Sequence, residues 1–217
     1  MTGIEQDRGL DGTEQGDPAQ RTGRRAFLAT VGVATAAVTV LTVGQSVPAL
    51  KATNLFGPRD GAGPQGLPVN KTAASAQVEQ LATDPGWRLR LDGGVRSVSL
   101  SRDDLLGLPQ LAVSLPLACV EGWSVGARLT GVRLADLLDL VGADPDRKVR
   151  VRSLQPAGAY TVVDMGPEFA RARTTVLALA LNGQTLNLDH GFPARIMAPN
   201  RPGVLQTKWV GAIEVLS

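Results

Sequence analysis

The 217-residue chain contains one cysteine, Cys119, and one histidine, His190. A thiolate is a soft metal ligand and a strong nucleophile, and an imidazole titrates near neutrality. With one of each, the chain can form no internal disulfide framework, Cys-rich zinc site or HExxH-type metal site. A metal here must be held by few protein ligands, or arrive in an organic cofactor that brings its own. Cys119 closes the run Leu111-Ala-Val-Ser-Leu-Pro-Leu-Ala118, which reads as a mostly buried strand; Gly122 and Gly126 then open a loop. A thiol at such a junction suits a metal thiolate or a nucleophile. The competing reading is a small buried hydrophobe, the commonest fate of a free cysteine.

Three polar clusters follow. Arg128 and Arg133 flank Leu-Thr-Gly-Val; Asp189-His-Gly-Phe-Pro-Ala-Arg195 places a histidine and an arginine around Gly191 and Pro193; Asn200-Arg-Pro-Gly delivers Lys208 just ahead of a strand. Lysine supplies a point charge, arginine a forked donor and histidine a ring N–H, the groups that grip a phosphate. Taken singly, each could be an ordinary solvated side chain. A rival chemistry is also present. Gly122-Trp-Ser-Val-Gly126 matches the G-x-S-x-G pattern, which would make Ser124 a nucleophile, His190 its base and Asp139, Asp144 or Asp164 the orienting acid. Against this serine hydrolase, the pattern needs a helix directly after the serine, and Gly126, Thr130 and Gly131 postpone one. A third reading is an anchored binding module without catalysis.

The elements that must position these groups can be read in order. Residues 1–25 are polar and aperiodic, and are expected to be disordered. Residues 26–50 carry no charge and are long enough for a membrane-spanning helix, behind Arg21, Arg24 and Arg25. Arg24-Arg-Ala-Phe-Leu28 resembles a twin-arginine export signal, so this segment is expected to be a signal or an anchor that puts the rest outside the cytoplasm. Residues 51–80, rich in proline and glycine, read as a linker, and 81–217 as the folded domain. Trp87–Leu91 and Val95–Leu100 flank Asp92-Gly-Gly94 as a hairpin. Ser101 and Asp104 form a capping-box-like helix start. Leu134, Leu137, Leu138 and Val141 form one helix face ending at Gly142. Lys148–Leu154, Tyr160–Met165, Val176–Leu181, Arg195–Ala198 and Trp209–Leu216 read as strands; Pro167–Arg171 reads as a helical turn. Short strands mixed with short helices, without regular βαβ alternation, indicate an α+β fold. A formal charge of +2, with no basic run interleaved with aromatics, gives no nucleic-acid partner.

Five of these elements, Cys119–Trp123, Thr130–Leu138, Leu177–Gly183, Asp189–Arg195 and Lys208–Val210, resemble in residues and order the molybdopterin-binding domain of the sulfite oxidase family. The resemblance runs from about Trp87 to the C-terminus. It implies a sulfite-oxidase-type fold of mixed sheets, and an oxidoreductase that transfers an oxygen atom to or from a small substrate at a molybdenum–molybdopterin cofactor. It implies Cys119 as the metal ligand, and His190, Arg195 and Lys208 as grips on the pterin and its phosphate. Arg128, as a catalytic group, and Arg133, as a cofactor contact, match more loosely. Leu129 stands where relatives commonly have tryptophan, and neither a haem-binding segment nor a following Ig-like domain is visible. A minimal, exported bacterial-type relative is the nearer comparison, with its substrate, direction and electron partner open. Tyr160, the only tyrosine, fits a plain strand position better than a substrate pocket.

Overall fold

Turn chemistry and short-range capping set the first elements. The computed structural model describes residues 63–118 and 124–216. Strands β1 (Leu89–Asp92) and β2 (Val98–Leu100) pair antiparallel across the Asp92-Gly-Gly94 turn, with Leu91 opposite Val98. Ser101 then caps α2 (Arg102–Gly107), which follows the short α1 (Glu79–Thr83). The Ser101 hydroxyl accepts from the Asp104 N–H at 3.0 Å, and the Asp104 carboxylate accepts from the Ser101 N–H at 2.8 Å.

The remaining strands are β3 (Gln110–Ala118), β4 (Ser124–Arg133), β5 (Val149–Ser153), β6 (Val162–Met165), β7 (Val176–Leu181), β8 (Gln184–Thr185), β9 (Arg195–Met197) and β10 (Val210–Val215). Two more helices, α3 (Leu134–Leu140) and α4 (Pro167–Ala170), follow β4 and β6. One sheet has the order β2-β1-β10-β5-β6; the other runs β3-β4-β7-β8, with β9 paired to β7. The β1–β10 pair is parallel and joins the first strand to the last, Arg90 opposite Ala212. These are mixed sheets with few short helices, the α+β class.

Strand β7 shows why a continuous apolar run is needed. Leu177 and Leu179 face one core cluster with Leu91, Leu137 and Ile213; Val176, Ala178 and Leu181 face a second with Leu129 and Met197. It is therefore buried on both faces. The run stops at Asn182 and Gly183, both at positive φ, in a tight hairpin to β8. Gly131 is required on the neighbouring strand, because a Cβ there would lie 2.0 Å from the Leu177 carbonyl oxygen.

Three expectations change. Strand β3 is not mostly buried: it pairs only with β4, and from Leu111 to Leu117 only Val113 is buried. Pro116, which lacks an N–H, is at home on such an edge. Gly126 belongs to β4, opposite Pro116, rather than to a loop. Ser124 therefore begins a ten-residue strand, and the next helix, α3, starts only at Leu134. The nucleophile elbow and its serine hydrolase fall with that, since the motif acts only at a strand-to-helix turn. Residues 1–50, including the hydrophobic segment and the twin-arginine motif, lie outside the described residues, as does Cys119. Among the described residues no helix is long and apolar enough to cross a membrane.

Candidate cofactor site

Asn187 starts the site by accepting the Asp189 N–H at 2.9 Å, which caps a single 3₁₀ turn, Leu188–His190. Gly191 follows at φ 110°, and a cis peptide bond joins Phe192 to Pro193. The chain then enters β9 at Arg195. Lys208 arrives from the other side, just before β10. A Cβ on Gly191 would lie 3.1 Å from the Cβ atoms of both Arg195 and Lys208. The glycine is thus what lets the two cationic stems approach one turn. Gly191→Ala is expected to destabilise the fold by about 1–3 kcal/mol, from strained backbone and crowding together, as a urea melt would show.

Each cation is held from behind. Arg195 is only 3% exposed; its Nη1 donates to the His190 carbonyl oxygen at 3.0 Å, while its buried Nε has no partner. Burial lowers its guanidinium to about 10, so it stays charged at neutral pH. The Lys208 ammonium donates to the carbonyl oxygens of Asp189 at 2.8 Å and Lys71 at 2.9 Å, and lies 5.2 Å from the centre of the Trp209 ring. His190 Nε2 donates to the Pro64 carbonyl oxygen at 2.8 Å. Burial holds that imidazole below the ordinary histidine range, aided by the charges of Arg195 and Lys208 and opposed by the Pro64 carbonyl and Asp189. Thr207 Oγ1 is also buried without a partner.

The sign of the His190 effect follows from linkage. The unfolded chain takes a proton on this histidine below about pH 6.5, whereas the folded chain resists it. Stability of the cofactor-free protein should therefore fall as the pH drops below about 6.5. His190→Gln should flatten that slope in melts taken between pH 8 and 5.

His190, Arg195, Thr207 and Lys208 all line one cavity of about 160 Å³. Lys71, Gln155, Gly158, Tyr160 and Leu117 line the same cavity. Leu117 is two positions before Cys119 in sequence. Tyr160 is not a strand residue: it lies in the β5–β6 turn, half exposed at the cavity wall. Residues 63–77 overlap the stretch expected to be linker. In the structure they strap the site: Pro64 and Lys71 supply the two carbonyls above, and the Ala73 N–H donates to Asp189 Oδ1 at 2.8 Å. Ala73, Ala76 and Val78 bury themselves against Trp209. Arg128 and Arg133 do not line the cavity. Arg128 is exposed on β4, and Arg133 pairs with Asp136, its Nε donating at 2.9 Å.

Two of the lining residues, Arg195 and Thr207, carry a buried, unpartnered polar atom, and Arg195, Lys208 and Lys71 bring positive charge, so the lining is rich in donors. A buried donor without a partner is destabilising by roughly 1–3 kcal/mol, so an anion is the kind of ligand such a lining would accept. The terminal phosphate of molybdopterin, with its polar pterin ring, offers acceptors to such donors. The residues present fit the group.

The comparisons agree. The family of the oxidoreductase molybdopterin binding domain matches residues 75–217, so the chain belongs to that family and carries a molybdopterin-binding oxidoreductase domain. Among its relatives, mitochondrial sulfite oxidase of Mus musculus is 33% identical over 159 residues, covering 60% of this chain and 29% of that protein. An Azospira oryzae protein bearing the name protein-methionine-sulfoxide reductase subunit YedZ1 is 37% identical over 130 residues, covering 59% and 48%. The chain thus spans less than half the length of these relatives. The sulfane dehydrogenase SoxCD from Paracoccus pantotrophus shares the fold, with a TM-score of 0.54 at 22% identity over 60% of this chain and 38% of that one.

Proposed function

We propose that the chain holds molybdopterin in the Arg195–Lys208 cavity and transfers an oxygen atom to or from a small sulfur-centred substrate. The observation that carries this reading is that Arg195 and Thr207, each with a buried and partnerless polar atom, line one cavity together with Lys208 and His190. When bound, the cofactor supplies two-electron chemistry coupled to one oxygen atom: sulfite and water give sulfate, two protons and two electrons, and a sulfoxide runs the opposite way to sulfide and water. The chain's own residues bind and orient. Arg195 and Lys208 offer charge to the phosphate end, from positions fixed by β9 and β10. Neutral His190, its Nε2–H committed to Pro64, fixes the turn that aims them. Cys119 is the one thiolate the sequence has to give the metal. Export through the Arg24-Arg25 signal, with residues 26–50 as signal or anchor, is part of the same proposal, supported by the uncharged run behind a basic cluster.

The test is a pair of assays on protein purified from a host that makes molybdopterin. Sulfite oxidation is followed with ferricyanide, and methionine sulfoxide reduction with reduced viologen. Turnover in one of them is expected; inactivity in both, on molybdenum-loaded protein, defeats the assignment to sulfur substrates.

A further inference from the structure

Against the first sheet lies a second cleft of about 350 Å³. Its floor is apolar: half-exposed Leu81, buried Trp87, Leu154 and Gly211. Its rim carries three arginines, Arg88, Arg90 and Arg152, against one carboxylate, Asp84. Asp84 is turned to its own loop, accepting the Gly86 N–H at 2.7 Å. Arg152 is paired with Glu214, its Nη2 donating at 3.0 Å. Arg88 and Arg90 are exposed, and neither forms an ion pair with another described residue.

The lining of the cleft and that of the cofactor cavity meet along the chain. Ser153 and Leu154 line the cleft; the next residue, Gln155, lines the cavity. The Ser153 hydroxyl donates to the Lys208 carbonyl oxygen at 2.9 Å, and the Leu154 N–H donates to the Trp209 carbonyl oxygen at 2.7 Å. Lys208 and Trp209 are cavity residues. Two hydrogen bonds therefore connect the two spaces directly.

Oxygen-atom transfer moves two electrons per turnover, and they must be exchanged with something. The only cysteine and the only histidine are both assigned to the molybdenum site, which leaves none for a haem or an iron–sulfur cluster in these residues. We propose that the cleft is the docking face for a separate, acidic electron-carrier protein. Its redox group would show an apolar edge to the Leu81–Leu154 floor, with carboxylates meeting Arg88 and Arg90. Two one-electron carriers then balance each oxygen atom moved. Opposite charge at the rim raises the encounter rate, and the apolar floor supplies the short-range contact. This rests on the oxidoreductase reading above, but the docking itself can be measured without turnover.

The probe is a plant-type [2Fe–2S] ferredoxin, a strongly acidic carrier, with a basic mitochondrial c-type cytochrome as control. Binding is followed by amide chemical shifts at low salt, and electron exchange with the molybdenum-loaded protein by stopped flow. Ferredoxin is expected to shift amides of β1, β10 and the 84–88 loop. The R88E/R90E double variant should weaken binding at least tenfold, flatten its salt dependence and slow electron exchange to match. Dye-linked turnover of that variant should equal the parent's. Shifts centred on another face, equal ferredoxin affinity in the double variant, or tighter binding of the basic cytochrome by the parent would each overturn the proposal. Absence of molybdenum or of dye-linked turnover in the parent would instead count against the cofactor reading, and the shift map would still decide the docking.

Discussion

Exchange of Cys119 for serine is expected to abolish oxygen-atom transfer, by a factor on the order of 10³ or more, while leaving a folded protein. A thiolate is stabilised by a neighbouring cation and is soft enough for molybdenum; a serine hydroxyl keeps its proton and is a hard, neutral donor. A thousandfold loss corresponds to about 4 kcal/mol of barrier. The fold should not notice, because the cores around β7 are built from residues elsewhere in the chain. The check is paired: a thermal melt that moves by no more than a few degrees, and the same dye-linked assay used for the parent. A variant that keeps turnover would show that the metal does not depend on this sulfur.

The second large effect separates binding from stability. Arg195→Met should lower cofactor retention at least tenfold yet leave the cofactor-free protein as stable as the parent, or more so. In the free protein the guanidinium is buried with no carboxylate beside it, its Nε has no partner, and burial has already pulled it down to about 10. Replacing such a charge with an apolar side chain of similar length often stabilises a fold. The hydrogen bond lost to the His190 carbonyl is worth about 1 kcal/mol. Arg195→Lys should not rescue binding, since an ammonium cannot reproduce a forked donor. Pterin fluorescence of the purified proteins measures retention, and urea melts of the cofactor-free forms measure stability. A large loss of stability in Arg195→Met would make this arginine a structural residue rather than one kept for a ligand.

The pattern of what was legible in the sequence has a physical basis. Signals that act within a few residues could be read directly: the Asp92-Gly-Gly94 hairpin, the Ser101–Asp104 cap and the Leu134–Val141 face all formed as expected. Burial depends on which strands become neighbours, and that is a property of the whole topology. Leu111–Leu117 is aliphatic apart from Ser114 and Pro116, much like Val176–Leu181, yet only the second is central in its sheet. The order of motifs singled out His190, Arg195 and Lys208, and the structure does bring these three to one cavity. Arg133 has a local partner three residues on, Asp136, which the spacing alone could have shown. The strap could not be read this way. Its bonds to His190, Lys208 and Asp189 are made largely by backbone groups at Pro64, Lys71 and Ala73, more than 100 positions away, and backbone carries no residue signature. Thr207 and Gln155 were missed for a related reason. A single polar side chain next to a strand has no pattern until the cavity beside it exists.

The central claim is that this cavity is completed by an anionic, metal-bearing pterin. The most direct measurement is the amount of molybdenum and pterin per chain in protein purified from a host that makes the cofactor, for the parent and for an R195M/K208M double variant. The account predicts close to one of each per parent chain and only traces in the double variant. Equal loading of the two proteins, or a parent with neither molybdenum nor pterin, would contradict it.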